Sequence, residues 1–210
     1  MEAEYDGRAD ARDSYDLAIA EMRRKKGASA YALGIIPSED REKDDYYPTP
    51  PSATRALLAV ETFAGSIWEP ACGCGAMSRE MEAAGYQVQS TDLIYRGYGQ
   101  GNIDFLLDYQ TVAANVVTNP PFKLAEEFAR HGLRRATGKV AILARLAWLE
   151  SKVRKPFFES TPLARVWVFS ERVGFKRGEL AEEGEARGMI AFAWYVWEHG
   201  YSGRPTLGWL

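Results

Sequence analysis

Apolar positions early in the chain recur at helical spacing. Tyr15, Ala18, Ile19 and Met22 fall at i, i+3, i+4 and i+7 and predict a helix over residues 8–25, with the basic run 23–26 at its end. Residues 27–45 carry Gly34, Pro37 and a charged run, and predict a linker or docked arm. From Tyr46 onward short apolar runs alternate with amphipathic stretches. A helix is predicted over 51–62, opened by Pro51, then a strand over 66–70 and a glycine turn over 71–75. A helix over 76–84 follows, stopped by Gly85, and a second strand over 86–91 ends at Asp92. Residues 115–118 predict a third clear strand, with a weaker one near 103–105. Beyond it come a helix over 124–135, a strand over 139–146, a helix over 152–159, and strands over 165–169 and 189–197. Strands and helices alternating at this length predict an α/β domain over 46–210, with a mostly parallel sheet covered on both faces. A hairpin between the last two strands would make the final one antiparallel.

The longest apolar run, 189–197, is nine residues, too short to span a bilayer as a helix. The first residues are acidic and lack the basic and apolar regions of a signal peptide, so a cytoplasmic location is expected. Cys72 and Cys74 are spaced poorly for a disulfide and have no partner pair for zinc, so no metal site is expected. Charge is uneven along the chain. Residues 1–46 hold 12 Asp/Glu against 8 Lys/Arg, whereas residues 130–177 hold 12 Lys/Arg against 3 Asp/Glu. A local surplus of that size is the footprint expected of a phosphate-backbone partner.

Two segments carry chemistry. In the first, Glu69-Pro70-Ala71-Cys72-Gly73-Cys74-Gly75 links a strand to a helix, and Asp92 ends the next strand. Glycines there let the backbone approach a ligand, and an acid at that place can accept from a ribose diol. Position 78 is serine where a dinucleotide fingerprint has its third glycine, so a ribose-bearing cofactor without a pyrophosphate fits better than NAD. The second segment is Asn119-Pro120-Pro121-Phe122, directly after the buried run 115–118. The Asn119 side-chain oxygen and the Pro120 carbonyl can each accept one N–H of a planar amine. That draws its lone pair out of the ring, while the prolines stiffen the turn. Phe122 can stack on a base taken out of its helix. A further segment, Tyr46-Tyr47-Pro48-Thr49-Pro50-Pro51, precedes the first helix of the α/β region, where it would serve as a lid.

Together these segments resemble the S-adenosylmethionine-dependent N6-adenine DNA methyltransferases, the small phage- and prophage-encoded members most of all. The ending Trp194-Tyr195-Val196-Trp197-Glu198-His199-Gly200-Tyr201 is also similar to theirs. The resemblance covers residues 46–210. It implies a Rossmann-like methyltransferase fold, a mostly parallel seven-stranded sheet with an antiparallel last strand. It implies S-adenosylmethionine as cofactor, with Thr49 and Pro50 closing over the methionine end and Glu69, Ala71, Gly73 and Gly75 as the cradle. Asp92 would hold the ribose, and Asp104 and Phe105 would border the cofactor's adenine. Asn119, Pro120, Pro121 and Phe122 would hold the target base.

The family's larger members have a separate target-recognition domain. Here only residues 147–188 are available, and Lys152, Arg154, Lys155, Arg172, Lys176 and Arg177 are the candidate DNA contacts, directed mainly at phosphates. Monomer and homodimer both stay open. The sequence speaks against a C5-cytosine enzyme, since that chemistry uses a cysteine after a proline and no Pro-Cys occurs. An enzyme acting on adenine in RNA, one acting on protein glutamine, and a catalytically silent DNA-binding relative are the alternatives.

Overall fold

The computed structural model describes residues 46–175 and 190–210. The helix and linker expected within 1–45 lie outside the described residues, as do Lys176, Arg177 and the start of the strand expected at 189.

The described chain runs α1 (Pro51–Val60), β1 (Ile67–Glu69), α2 (Ala76–Ala83), β2 (Val88–Ser90), β3 (Asn115–Thr118), α3 (Ala125–Arg135), β4 (Lys139–Arg145), α4 (Lys155–Ser160), β5 (Leu163–Val168), β6 (Phe192–Glu198) and β7 (Thr206–Trp209). The seven strands form one sheet in the order β2-β1-β3-β4-β6-β5-β7. Only β6 runs against its neighbours; the other adjacent pairs are parallel. The core lies on both faces of the sheet. Ile67, Val117, Leu143, Trp194 and Val196 pack on one side with Leu57 of α1 and Met77 and Met81 of α2. Trp68, Val116, Ile142, Tyr195 and Trp197 pack on the other with Phe128 of α3 and Phe157 of α4. Successive β6 residues therefore feed opposite faces, which is why that strand reads as an unbroken apolar run.

Local sequence explains the helix ends near the site. Pro51 opens α1 with its ring already at a helical φ. Gly75 starts α2 from a left-handed conformation, φ 79°, that a side chain would resist. Glu126 and Glu127 begin α3 and Arg134 and Arg135 end it, each charge matching its end of the helix dipole.

The structure corrects the sequence reading at three places. Residues 103–105 form no strand: Phe105–Leu107 is a short 3₁₀ turn, capped by the Asp104 carboxylate accepting from the Leu106 amide at 2.9 Å. At the β2 edge only an isolated bridge remains, Thr91 to Gln100. The expected helix over 152–159 is shorter, Lys155–Ser160, because Ser151 Oγ accepts from the Val153 and Arg154 amides and holds a turn there. The antiparallel strand is the penultimate one. β7 follows it, parallel to β5, and had no sequence signal because Gly208 interrupts it. That glycine has a packing reason: a Cβ there would lie 2.2 Å from Cζ3 of Trp167, whose indole crosses the strand.

Candidate active site

The sheet order turns around between β1 and β3, which places the site. From β1 the chain steps outward to β2, then crosses back to β3 on the other side. The carboxyl ends of β1, β2 and β3 carry the 70–75 turn, Asp92 and the tetrapeptide 119–122 respectively. A crevice at such a reversal is where open α/β sheets bind ligands.

The glycine turn is held from three directions. Gly73 N–H donates to Asp92 Oδ2 at 2.8 Å, Cys74 N–H donates to the Tyr46 hydroxyl at 3.2 Å, and Gly75 N–H donates to the Cys72 carbonyl at 2.7 Å. All three amides are used inside the protein, so the turn is not the open nest of N–H groups that a pyrophosphate needs. Its carbonyls accept within the protein as well: Cys72 from the Gly75 amide, Cys74 from the Arg79 guanidinium and Gly75 from the Arg79 amide. Asp92 keeps acceptor capacity, since each carboxylate oxygen takes one amide bond, from Gly73 and from Ile94, and has a lone pair left. Two aromatic rings close on the turn. A Cβ at Gly73 would sit 2.5 Å from the Tyr46 ring, and one at Gly75 would sit 2.3 Å from the Tyr98 ring. The Arg96 guanidinium lies 4.0 Å from the Tyr46 ring centroid.

Glu69 and Phe105 are placed differently from the other cradle candidates. Glu69 is 1% exposed beneath the turn, and its carboxylate accepts from Ser78 Oγ of α2. Burial, supported by the nearby Asp92 charge, pushes its pKa up to about 8 despite the Ser78 bond. The Phe105 ring is enclosed in the core, 4.9 Å from Trp68 and 4.8 Å from His131. Asp104 is half-buried and its carboxylate is engaged by the Leu106 amide. Ala71 is half-buried at the β1 end.

The tetrapeptide lies across the crevice. Asn119 Nδ2 donates to Thr49 Oγ1 at 3.0 Å and to the Tyr47 carbonyl at 3.4 Å, while the buried Oδ1 has no hydrogen-bond partner. Pro120 is buried, and the Pro121 carbonyl accepts the Leu124 amide at 2.8 Å, closing a 3₁₀ turn over Phe122–Leu124. The Phe122 ring is near-parallel to Tyr47, with centroids 6.0 Å apart and planes 21° apart. The Arg145 guanidinium lies 5.0 Å from its centroid, and Phe192 and Phe175 pack around it.

Arg145 ends β4, three residues beyond Ile142, which pairs with Thr118. Its Nε is buried without a hydrogen-bond partner. It carries no motif, and only the strand register brings it to Phe122.

The basic surplus of 130–177 does not form one face. Lys139 and Arg165 converge with Glu61 in an ion cluster, and Arg130 pairs with Glu126 at 2.8 Å. Lys152, Lys155 and Arg172 are exposed on segments that follow the carboxyl ends of β4 and β5. That is the end of the sheet carrying Asn119. Arg154 is anchored, its Nε donating to the Trp148 carbonyl at 2.9 Å. Among the described residues no group of three or more His, Cys, Asp or Glu could hold a metal, and no helix is long and apolar enough to cross a membrane.

Solved structures share this fold. A proposed class I S-adenosylmethionine-dependent methyltransferase of Listeria monocytogenes superposes with a TM-score of 0.54 at 13% identity, covering 93% of this chain and 73% of that one. A proposed RNA methyltransferase of Pyrococcus horikoshii gives 0.54 at 15% identity over 80% of this chain and 95% of that one. A Thermoplasma acidophilum protein gives 0.53 at 15% identity over 73% and 89%. No family model and no curated protein matches the chain. The architecture is therefore the Rossmann-like fold of class I methyltransferases. At these identities the likeness speaks for the fold, and the substrate has to be argued from the site.

Proposed function

We propose that this chain transfers a methyl group from S-adenosylmethionine to the exocyclic N6 amine of adenine in DNA. The observation that carries this reading is the Asn119 amide. Both its donor bonds are made within the protein, and its one acceptor atom is buried and unpaired at the crevice between β1 and β3. A buried acceptor without a donor is costly, and a ligand N–H restores it. The bound cofactor would supply an electrophilic methyl group on a sulfonium.

The chain's own residues do the rest. Asn119 Oδ1 and the Pro120 carbonyl take the two amine hydrogens and localise the nitrogen lone pair towards that methyl group. A nitrogen–carbon bond forms as the sulfur–carbon bond breaks, and the surplus proton leaves to solvent afterwards. The flipped base stacks on Phe122, in the layer where the Tyr47 ring now lies. Gly73, Gly75, Ala71 and Asp92 form the cofactor's cradle, Asp104 borders its adenine, and Thr49 and Pro50 close its methionine end. Glu69 serves from below, fixing the strand–helix turn through Ser78. Lys152, Lys155 and Arg172 contact phosphates.

The test is incubation with labelled S-adenosylmethionine and either DNA or RNA, followed by nucleoside mass spectrometry. Label in N6-methyldeoxyadenosine is expected. Label in RNA alone moves the substrate to RNA, and label in neither removes the reading.

A further inference from the structure

Asn119 has to present the right end of a side chain whose two ends have nearly the same shape. Turned over, its Nδ2 would meet the substrate amine donor to donor. The neighbours of the amide decide which end faces out. The Tyr47 carbonyl is an acceptor only, so it selects Nδ2 over Oδ1, though at 3.4 Å its bond is long. The shorter bond, 3.0 Å, goes to Thr49 Oγ1. Thr49 is 4% exposed, so little water competes for that hydroxyl.

We propose that Thr49 is a positioning residue for Asn119: with the acceptor-only Tyr47 carbonyl selecting Nδ2, the Thr49 hydroxyl accepts the second N–H, holds the amide in that orientation with Oδ1 towards the target amine, and so joins the segment over the cofactor to the base-gripping turn. This rests on the adenine-amine reading above and adds to it. One residue, sited where the chain closes over the methionine end, also sets the acceptor for the substrate. Closure of 46–50 and readiness of Asn119 become one event, and the methyl acceptor is gripped correctly only when the segment over the donor is in place.

Thr49→Val keeps the β-branched shape and removes the acceptor, while Thr49→Ser keeps the hydroxyl. Losing one neutral hydrogen bond corresponds to about a three- to tenfold lower kcat on DNA for Thr49→Val. Because Thr49 also closes over the cofactor, kcat is compared at saturating S-adenosylmethionine, so that any change in cofactor affinity does not enter the comparison. Thr49→Ser is expected to retain most of the rate. A second readout needs no turnover: in ¹⁵N spectra of the cofactor-free protein, the Asn119 side-chain amide protons should exchange faster in Thr49→Val than in wild type or Thr49→Ser. Undiminished kcat in Thr49→Val, equal losses in both variants, or a loss confined to cofactor affinity overturns the proposal. A wild-type chain that methylates no adenine removes the underlying reading and this proposal with it. A wild type that does, beside an equally fast Thr49→Val, removes the proposal alone.

Discussion

The carboxylate of Asp92 accepts the amide hydrogen of Gly73 at 2.8 Å, tying the end of β2 to the glycine turn that leaves β1. One side chain thus shapes the cradle and keeps lone pairs for a ribose. Asp92→Ala is expected to weaken S-adenosylmethionine binding by about 1–3 kcal/mol, the range for losing hydrogen bonds to a charged group. Calorimetry measures it directly, and unchanged affinity would count against the ribose assignment.

Asn119→Ala should abolish methyl transfer and leave cofactor affinity close to wild type, since the side chain acts on the target amine. Single-turnover kinetics and calorimetry on the same preparation separate the two effects. Near-normal turnover would sink the mechanism.

Charge at the rim should govern DNA affinity. Binding is expected to weaken linearly on a log–log plot of affinity against salt. The double variant Lys152→Glu with Arg172→Glu should flatten that slope by about one for each phosphate that is no longer neutralised. A slope that does not change would place the DNA elsewhere.

Glu61 is buried after α1 and accepts from Lys139 at 2.6 Å, from Trp167 Nε1 at 2.9 Å and from Arg165. Burial alone would raise its pKa, but those bonds outweigh it and hold the carboxyl below its ordinary value. Because the folded pKa is the lower one, the contribution is full above the unfolded pKa. It is lost as pH falls through the folded value. Glu61→Gln takes the carboxylate from Lys139, while Arg165 keeps its pair with Glu198, and should cost about 1.5–3 kcal/mol at neutral pH, the range for hydrogen bonds to a charged group. The difference should shrink in acid, as denaturant titrations at several pH values will show.

Glu69 behaves in the opposite sense. Its folded pKa, near 8, lies above the ordinary carboxylate range, so the folded state keeps the proton longer than the unfolded chain does. Stability from this group is full at low pH and falls as pH rises from the unfolded pKa through about 8. Glu69→Gln, whose carbonyl can still accept from Ser78, should therefore gain in Tm relative to wild type as pH rises across that interval. A difference that does not vary with pH would show that the carboxyl is already ionised in the fold.

Local chemistry was readable in the sequence. The α/β alternation, the helix starts at Pro51 and Gly75, the turn before α2 and the Asn-Pro-Pro-Phe turn after a buried strand each depend on a few consecutive residues and a period. Tertiary structure decided what depends on partners far along the chain. Thr49 and Asn119 are seventy positions apart, and no pattern in either segment announces their bond. Arg145 reaches Phe122 through strand register, and Lys139 and Arg165 leave the basic surplus because Glu61 collects them. β7 pairs along β5 with Gly208 opposite Trp167, whose indole occupies the place a Cβ would take, so a residue that looks like a strand breaker fits the strand. Periodicity and turn residues encode which elements form, because those energies are local. The pairing of side chains across the sheet's carboxyl edge is set by packing, and it is packing that leaves Asn119 with one free acceptor.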